Sequence, residues 1–209
     1  MKVIAVTLGV IGLFFLICLL TIVGSYNGLV ASSQAVDQQW AQVQNVYQRR
    51  ADLVPNLVST VSGAAHFEQS TLEAVTEARA SVGRVNIDAS SAPTDAAKLQ
   101  QFEQAQGSLS NALSRLLVVT ENYPDLKSSQ SFLDLQAQLE GTENRISVER
   151  GKFNQAVQDY DTRIVSFPDV LLARMMGFTS KPYFAASQAA QTAPQVQFDF
   201  NSSQTSPTH

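Results

Sequence analysis

The chain opens on an unbroken apolar run and then settles into a helical repeat. Val3 to Val23 holds no charged residue. Coiled as a helix it is about 31 Å long, close to the roughly 30 Å hydrocarbon core of a bilayer. From Tyr26 onward, Val36, Trp40, Val43, Tyr47, Val54, Leu57 and Val61 fall on alternating three- and four-residue steps, with Arg50 filling the remaining step. That is a heptad seam without strand alternation. It predicts one long helix from about Tyr26 to about Ala65, continuous or nearly so with the apolar run. Pro55 lacks an N–H and its ring crowds the carbonyl of Ala51, so a kink is expected there.

Three more helices follow. The stretch from Glu68 to Val82 places Leu72, Val75 and Arg79 on one face. Gly83 to Asp95, with Asn86, Asp88 and Pro93, reads as a break, and Thr94 or Asp95 as the cap of the next helix. That third helix carries Leu99, Phe102, Leu109, Leu113, Leu116 and Tyr123, and stops at Tyr123-Pro124-Asp125. The fourth begins near Ser128 or Ser131, along a seam of Phe132, Leu135, Leu139, Thr142, Ile146, Phe153, Val157, Tyr160, Ile164 and Phe167, and Pro168 ends it. Short loops between long amphipathic helices make antiparallel neighbours. The predicted fold is all-α: an N-terminal transmembrane helix, then an elongated antiparallel up-down four-helix bundle. These apolar and aromatic stripes, Trp40 included, read as core packing. If the first helix leaves the membrane, the fourth returns toward it. The apolar segment Val170 to Phe178 is then expected on the bundle foot or at the lipid surface.

Residues 1–25 are accordingly assigned to the anchor, 26–184 to the bundle and 185–209 to a disordered low-complexity tail. The tail is rich in Ala, Gln, Ser and Thr. Its alternating stretch Val196 to Phe200 has the form of an added strand, and is more simply tail. For the N-terminus, a permanent anchor is favoured over a cleaved signal. The apolar run is long for a signal peptide, although Val23-Gly24-Ser25 is a passable cleavage site. A lipoprotein signal at Cys18 is rejected, because Ile17 stands where a small residue belongs. Lys2 and the terminal amine are the positive groups before the run, and no Lys or Arg follows until Arg49. The positive-inside rule puts the N-terminus in the cytoplasm and the bundle outside.

Composition narrows the function. The 209 residues have a net charge of −4 and no basic stripe, which speaks against a nucleic-acid partner. One cysteine excludes a disulfide scaffold or a cysteine zinc site. His66 and His209 have no second ligand at helical spacing, so no metal site is expected. No phosphate loop, Gly-x-Ser-x-Gly elbow or Cys–His arrangement is found. No cofactor and no catalysis are expected. One constellation remains: Arg49, Arg50, Asp52, Pro55 and Asn56 on the first helix, Arg115 on the third, Glu143 and Arg145 on the fourth, with Glu149 and Arg150 further along it. A seam arginine must pair or snorkel. The favoured reading is an interhelical ion network; the sharper one is a partner groove centred on Pro55.

The run Arg49 to Val58 resembles the hallmark of LemA family proteins, and so does Leu72 to Ala80. Leu113-Ser114-Arg115-Leu116-Leu117, Glu121 to Lys127, Thr142 to Ile146, Ser166-Phe167-Pro168 and Gly177-Phe178 match in order. The resemblance covers nearly the whole chain except its tail. It implies a bacterial membrane protein with a long antiparallel bundle, and it brings no catalytic residues to carry over. One branch, in magnetosome-forming bacteria, is associated with that organelle, and nothing in these residues selects it. The expected role is a scaffold or interaction protein of the cell envelope, sited in the inner membrane. The alternative is an accessory subunit regulating a membrane protease or envelope-stress enzyme. The expected partners are the lipid bilayer and an unidentified membrane or envelope protein, with self-association left open.

Overall fold

The structure is a computed structural model and describes residues 2–63, 67–85 and 91–185. Six helices and no strand occur among them: α1 (Lys2–Ser62), α2 (Gln69–Arg84), α3 (Ala96–Thr120), α4 (Pro124–Lys127), α5 (Gln130–Val165) and α6 (Asp169–Met176). The predicted tail beyond Ala185, its Val196 to Phe200 stretch and both histidines lie outside the described residues.

The first helix runs without interruption for 61 residues, about 90 Å at 1.5 Å per residue. Among the described residues nothing packs over its apolar first third, which is long and apolar enough to cross a membrane. The two hydroxyls within that third bond to their own backbone, Thr7 to the Val3 carbonyl at 2.8 Å and Thr21 to that of Ile17 at 2.9 Å. Hydrocarbon demands such internal satisfaction of polar atoms. Farther on, Pro55 sits inside the helix. It leaves the Ala51 carbonyl without its usual donor. Arg79 of α2 supplies the replacement, its Nε donating to that oxygen at 3.0 Å.

Helix α5 lies against α1 along most of its length. Trp40 meets Phe153 with ring centroids 5.7 Å apart, and Arg50 meets Glu143. Moving up α1 therefore moves back along α5, and the pair is antiparallel in register. The other two long helices pair with each other, and α2 also touches α1. Caps fix the boundaries. Asp95 accepts from the Ala97 N–H at 2.8 Å to start α3, and Ser129 accepts from Phe132 to start α5. Gly177, at φ 77°, closes α6 in the left-handed conformation, with the Phe178 N–H bonded to the Ala173 carbonyl.

The core divides in two. Near the apolar segment, Leu29, Val36, Trp40, Val43 and Tyr47 pack with Phe102, Ile146, Phe153, Val157, Tyr160 and Phe184. Farther away, Leu53, Val54, Leu57 and Val61 pack with Val75, Leu109, Leu113, Leu116, Phe132 and Leu139. Two seam assignments need correction. Phe167 is 83% exposed, because α5 stops at Val165 and the chain turns away before it. Helix α3 ends at Thr120, not Tyr123, and the turn signal folds into the single-turn α4. Tyr123 still packs, with its ring 5.0 Å from that of Phe67.

After α6 the chain does not leave the bundle. Residues 177–185 run back along α5 as an extended strap. Tyr160 donates its hydroxyl to the Thr179 carbonyl, and Ser180 donates to Asp161. Lys181 reaches Asp37 of α1 at 2.8 Å. Asn154 holds both backbone groups of Phe184, as an adjacent strand would.

Candidate functional site: the cleft at Arg50

Arg50 occupies a seam position of α1, at the boundary between the two apolar cores. A seam position turns inward at every second helical turn, so the side chain points at the neighbouring helices. It is 1% exposed. One terminal nitrogen donates to Ser110 Oγ at 2.7 Å and Glu143 Oε1 at 2.6 Å. The other donates to Gln106, to its side-chain oxygen at 2.5 Å and its backbone carbonyl at 3.2 Å. Nε is buried with no protein acceptor. The guanidinium carbon stands 5.1 Å from the Tyr47 ring centroid, in cation–π range.

This group floors a cleft of about 450 Å³ between α1, α3 and α5, with Ala185 at its rim. A second ion pair crosses the cleft, Arg150 to Glu103 at 2.8 Å. Arg150 also donates to the Ala185 carbonyl and covers the Phe184 ring at 4.6 Å. The strap is thereby tied to the cleft. Burial raises the Glu103 carboxyl above its ordinary value, against the opposing pull of Arg150. Burial also raises the Tyr47 hydroxyl, and the guanidinium groups of Arg150 and Arg50 oppose it.

Of the constellation read from sequence, the structure brings Arg50 and Glu143 together. Pro55 is exposed and does not line the cleft; Arg79 bonds the Ala51 carbonyl that it leaves free. Arg49, Asn56, Arg115 and Arg145 are exposed, and so is Asp52, which accepts from Gln48 one turn back. The partners that sequence reasoning missed are Gln106, Ser110, Glu103 and the strap. A signal for Gln106 existed: the apolar seam of α3 skips from Phe102 to Leu109, and Gln106 fills the gap. The same gap opens in α5 between Ile146 and Phe153, where Arg150 stands.

Chemically, the cleft offers guanidinium, carboxylate, amide and hydroxyl groups. No His or Cys among the described residues lines it. Among the described residues no cluster of His, Cys, Asp and Glu could hold a metal ion. The arrangement recognises charge and hydrogen-bonding groups, and its two cations are already engaged by its two acids.

Fold and cleft together define a helical bundle carried on an apolar stalk, pinned at mid-height by a buried arginine. The chain belongs to the LemA family, which residues 39–198 match. It is 26% identical over 191 residues to magnetosome protein MamQ 2 of Paramagnetospirillum magneticum, covering 82% of this chain and 69% of that one. Magnetosome protein MamQ of Magnetospirillum gryphiswaldense is likewise 26% identical, over 198 residues, covering 84% and 71%. Protein LemA of Metamycoplasma hominis is 22% identical over 178 residues, covering 85% and 75%.

Proposed function

We propose that this chain is a membrane-anchored scaffold or interaction protein of the cell envelope, acting by binding and without catalysis of its own. The observation that carries the reading is α1. A single helix is bare and apolar where a membrane would surround it, and becomes a bundle seam where it leaves. Such a helix holds the bundle at a fixed place above the bilayer. The flanking charge, Lys2 before the segment and no cation after it until Arg49, supports a cytoplasmic N-terminus and an outward-facing bundle.

The test is purification of the full chain from cells in mild detergent, after in-cell crosslinking, with mass spectrometry of what accompanies it. A stoichiometric envelope protein without enzymatic activity supports the scaffold reading. A stoichiometric protease or other enzyme moves the role to accessory subunit. Turnover by the purified chain in a broad hydrolase screen overturns the proposal. A reporter active on one side only, fused to the C-terminus, checks orientation; cytoplasmic activity would reverse it.

A further inference from the structure

The foot of the bundle carries an apolar face that the other described residues leave uncovered. Leu171 and Met175 stand one turn apart on α6 and are 60% and 81% exposed, and Phe167, in the turn just before the helix, is 83% exposed. Val165, at the end of α5, is also exposed. The opposite side of α6 is committed to the core: Ala173 is buried, and Leu172 packs in the cluster that contains Leu29. The helix therefore has two apolar sides, one of them without a partner among the described residues.

Its height on the molecule identifies the missing partner. Arg163 of α5 lies against Gly28 of α1, so closely that a Cβ at Gly28 would stand 1.8 Å from the guanidinium. Gly28 is about 7.5 Å beyond Val23 along the helix axis. A headgroup layer adds about 5–7 Å to each side of the hydrocarbon core. Asp169 is bound to that same guanidinium, so the start of α6 and the Val165 to Phe167 turn between the two residues stand at this height, against that layer. Charge agrees. Asp169 is buried and bound to Arg163 at 2.7 Å. Arg174 is the exposed charge of α6, and it is positive.

We propose that Val165, Phe167, Leu171 and Met175 form a second membrane contact, inserting into the headgroup layer with Arg174 toward the lipid phosphates. The contact fixes the tilt of the rod that α1 alone would leave free. It has the form of an interfacial helix, apolar on the lipid side with a basic residue beside it. It rests on the reading of Val3 to Val23 as a membrane span. A soluble partner would have to enter the headgroup layer to reach the same face.

The experiment uses the full chain in vesicles of phosphatidylcholine and phosphatidylglycerol, carrying a bimane fluorophore on a single cysteine. One sample is labelled at native Cys18, inside the apolar segment. Others carry Leu171→Cys, Met175→Cys or, as an exposed control on α3, Ser108→Cys, each with Cys18→Ala. Bromine-labelled phosphatidylcholine is expected to quench the Leu171→Cys and Met175→Cys probes at least threefold more than the Ser108→Cys probe, and aqueous iodide less. Adding Arg174→Gln should reduce that lipid quenching in the anionic vesicles. Quenching at Cys18 with free iodide access at both α6 positions overturns the second contact and leaves the span standing. No lipid quenching at Cys18 overturns the span itself. Protection from both quenchers, with disulfide-linked dimers of the Leu171→Cys chain on oxidation, assigns the face to a second copy and overturns the proposal.

Discussion

The two halves of the bundle solve the same packing problem by different means. Far from the apolar segment, the core is mostly aliphatic, with Phe132 among its buried residues, and α1, α2, α3 and α5 each supply a side. Near the segment α2 has ended. Its place is taken by the loop around Ala92, the start of α3, α6 and the strap, and the core turns aromatic. Trp40 alone meets Phe102, Phe153 and Phe184. Large rings fill the space that a missing helix leaves, and edge-on ring pairs add direction to the packing. Arg50 sits where one solution gives way to the other. Heptad packing tolerates a polar layer best at such a boundary, where it fixes register at some cost in stability.

The largest effects should come from the cores, and they test whether the halves are one unit. Trp40→Ala is expected to cost about 3–5 kcal/mol and Leu57→Ala about 2–5 kcal/mol, as large-to-small changes at fully buried sites. Because α1 and α5 pass through both halves, Leu57→Ala should lower the melting temperature seen by Trp40 fluorescence as much as that seen by circular dichroism. A Trp40 transition left at the wild-type temperature would show two independent halves.

Next comes the boundary itself. Arg50→Ala leaves a void and strips Gln106 and Ser110 of their donor, for a loss of about 3 kcal/mol or more. Glu143→Ala should cost about 2 kcal/mol: its carboxylate is 45% exposed and partly screened, but the guanidinium left behind stays buried. A double-mutant cycle should return a coupling of about 1–2 kcal/mol. A coupling near zero would mean that Ser110 and Gln106 hold Arg50 unaided.

The far half also contains a repair that can be measured. Arg79→Ala orphans the Ala51 carbonyl and should cost about 1 kcal/mol. Pro55→Ala restores the helix's own N–H to that oxygen. In the Pro55→Ala background, Arg79→Ala should therefore cost clearly less, as read by chemical denaturation in detergent. Equal costs in both backgrounds would show that Arg79 matters for some reason other than that carbonyl.

The same contrast explains what could be read in advance. The far half was legible because most buried positions there lie on a 3.5-residue period, from Val54 to Val61 and from Leu109 to Leu116; Leu53, buried beside Val54, is off it. Arg50 was legible as a charge on that period, and Glu143 as an acid within reach on a neighbouring helix. Gln106 and Arg150 were weaker signals, since a polar residue at a seam looks like a gap until the gaps of three helices are seen to coincide. The strap was illegible. Phe184 and Lys181 are buried by long-range contacts, among them Trp40, Phe153 and Asp37, and an extended segment has no period to betray its buried face. Phe167 failed for the opposite reason: it keeps the period of α5 after α5 has ended.

The smallest effect concerns the acid at the cleft rim. Glu103 pairs with Arg150, yet burial holds its carboxyl above the ordinary value, so charging it is less favourable in the folded state than in the unfolded one. The sign follows from proton linkage. Below the ordinary Glu value of about 4.3, both states are protonated and Glu103 costs nothing. As pH rises through that value, the unfolded chain ionises first and stability falls; above the raised folded value the loss is complete. Glu103→Gln removes the titration. At neutral pH it should be neutral to slightly stabilising, within about 0.5 kcal/mol. The difference from wild type should vanish as pH falls below the ordinary Glu range. Unfolding of both chains from pH 7 down to pH 4 checks this. A variant weaker at pH 7 and equal at pH 4 would make the ion pair to Arg150 a net stabiliser, and would reverse the sign assigned to burial at this rim.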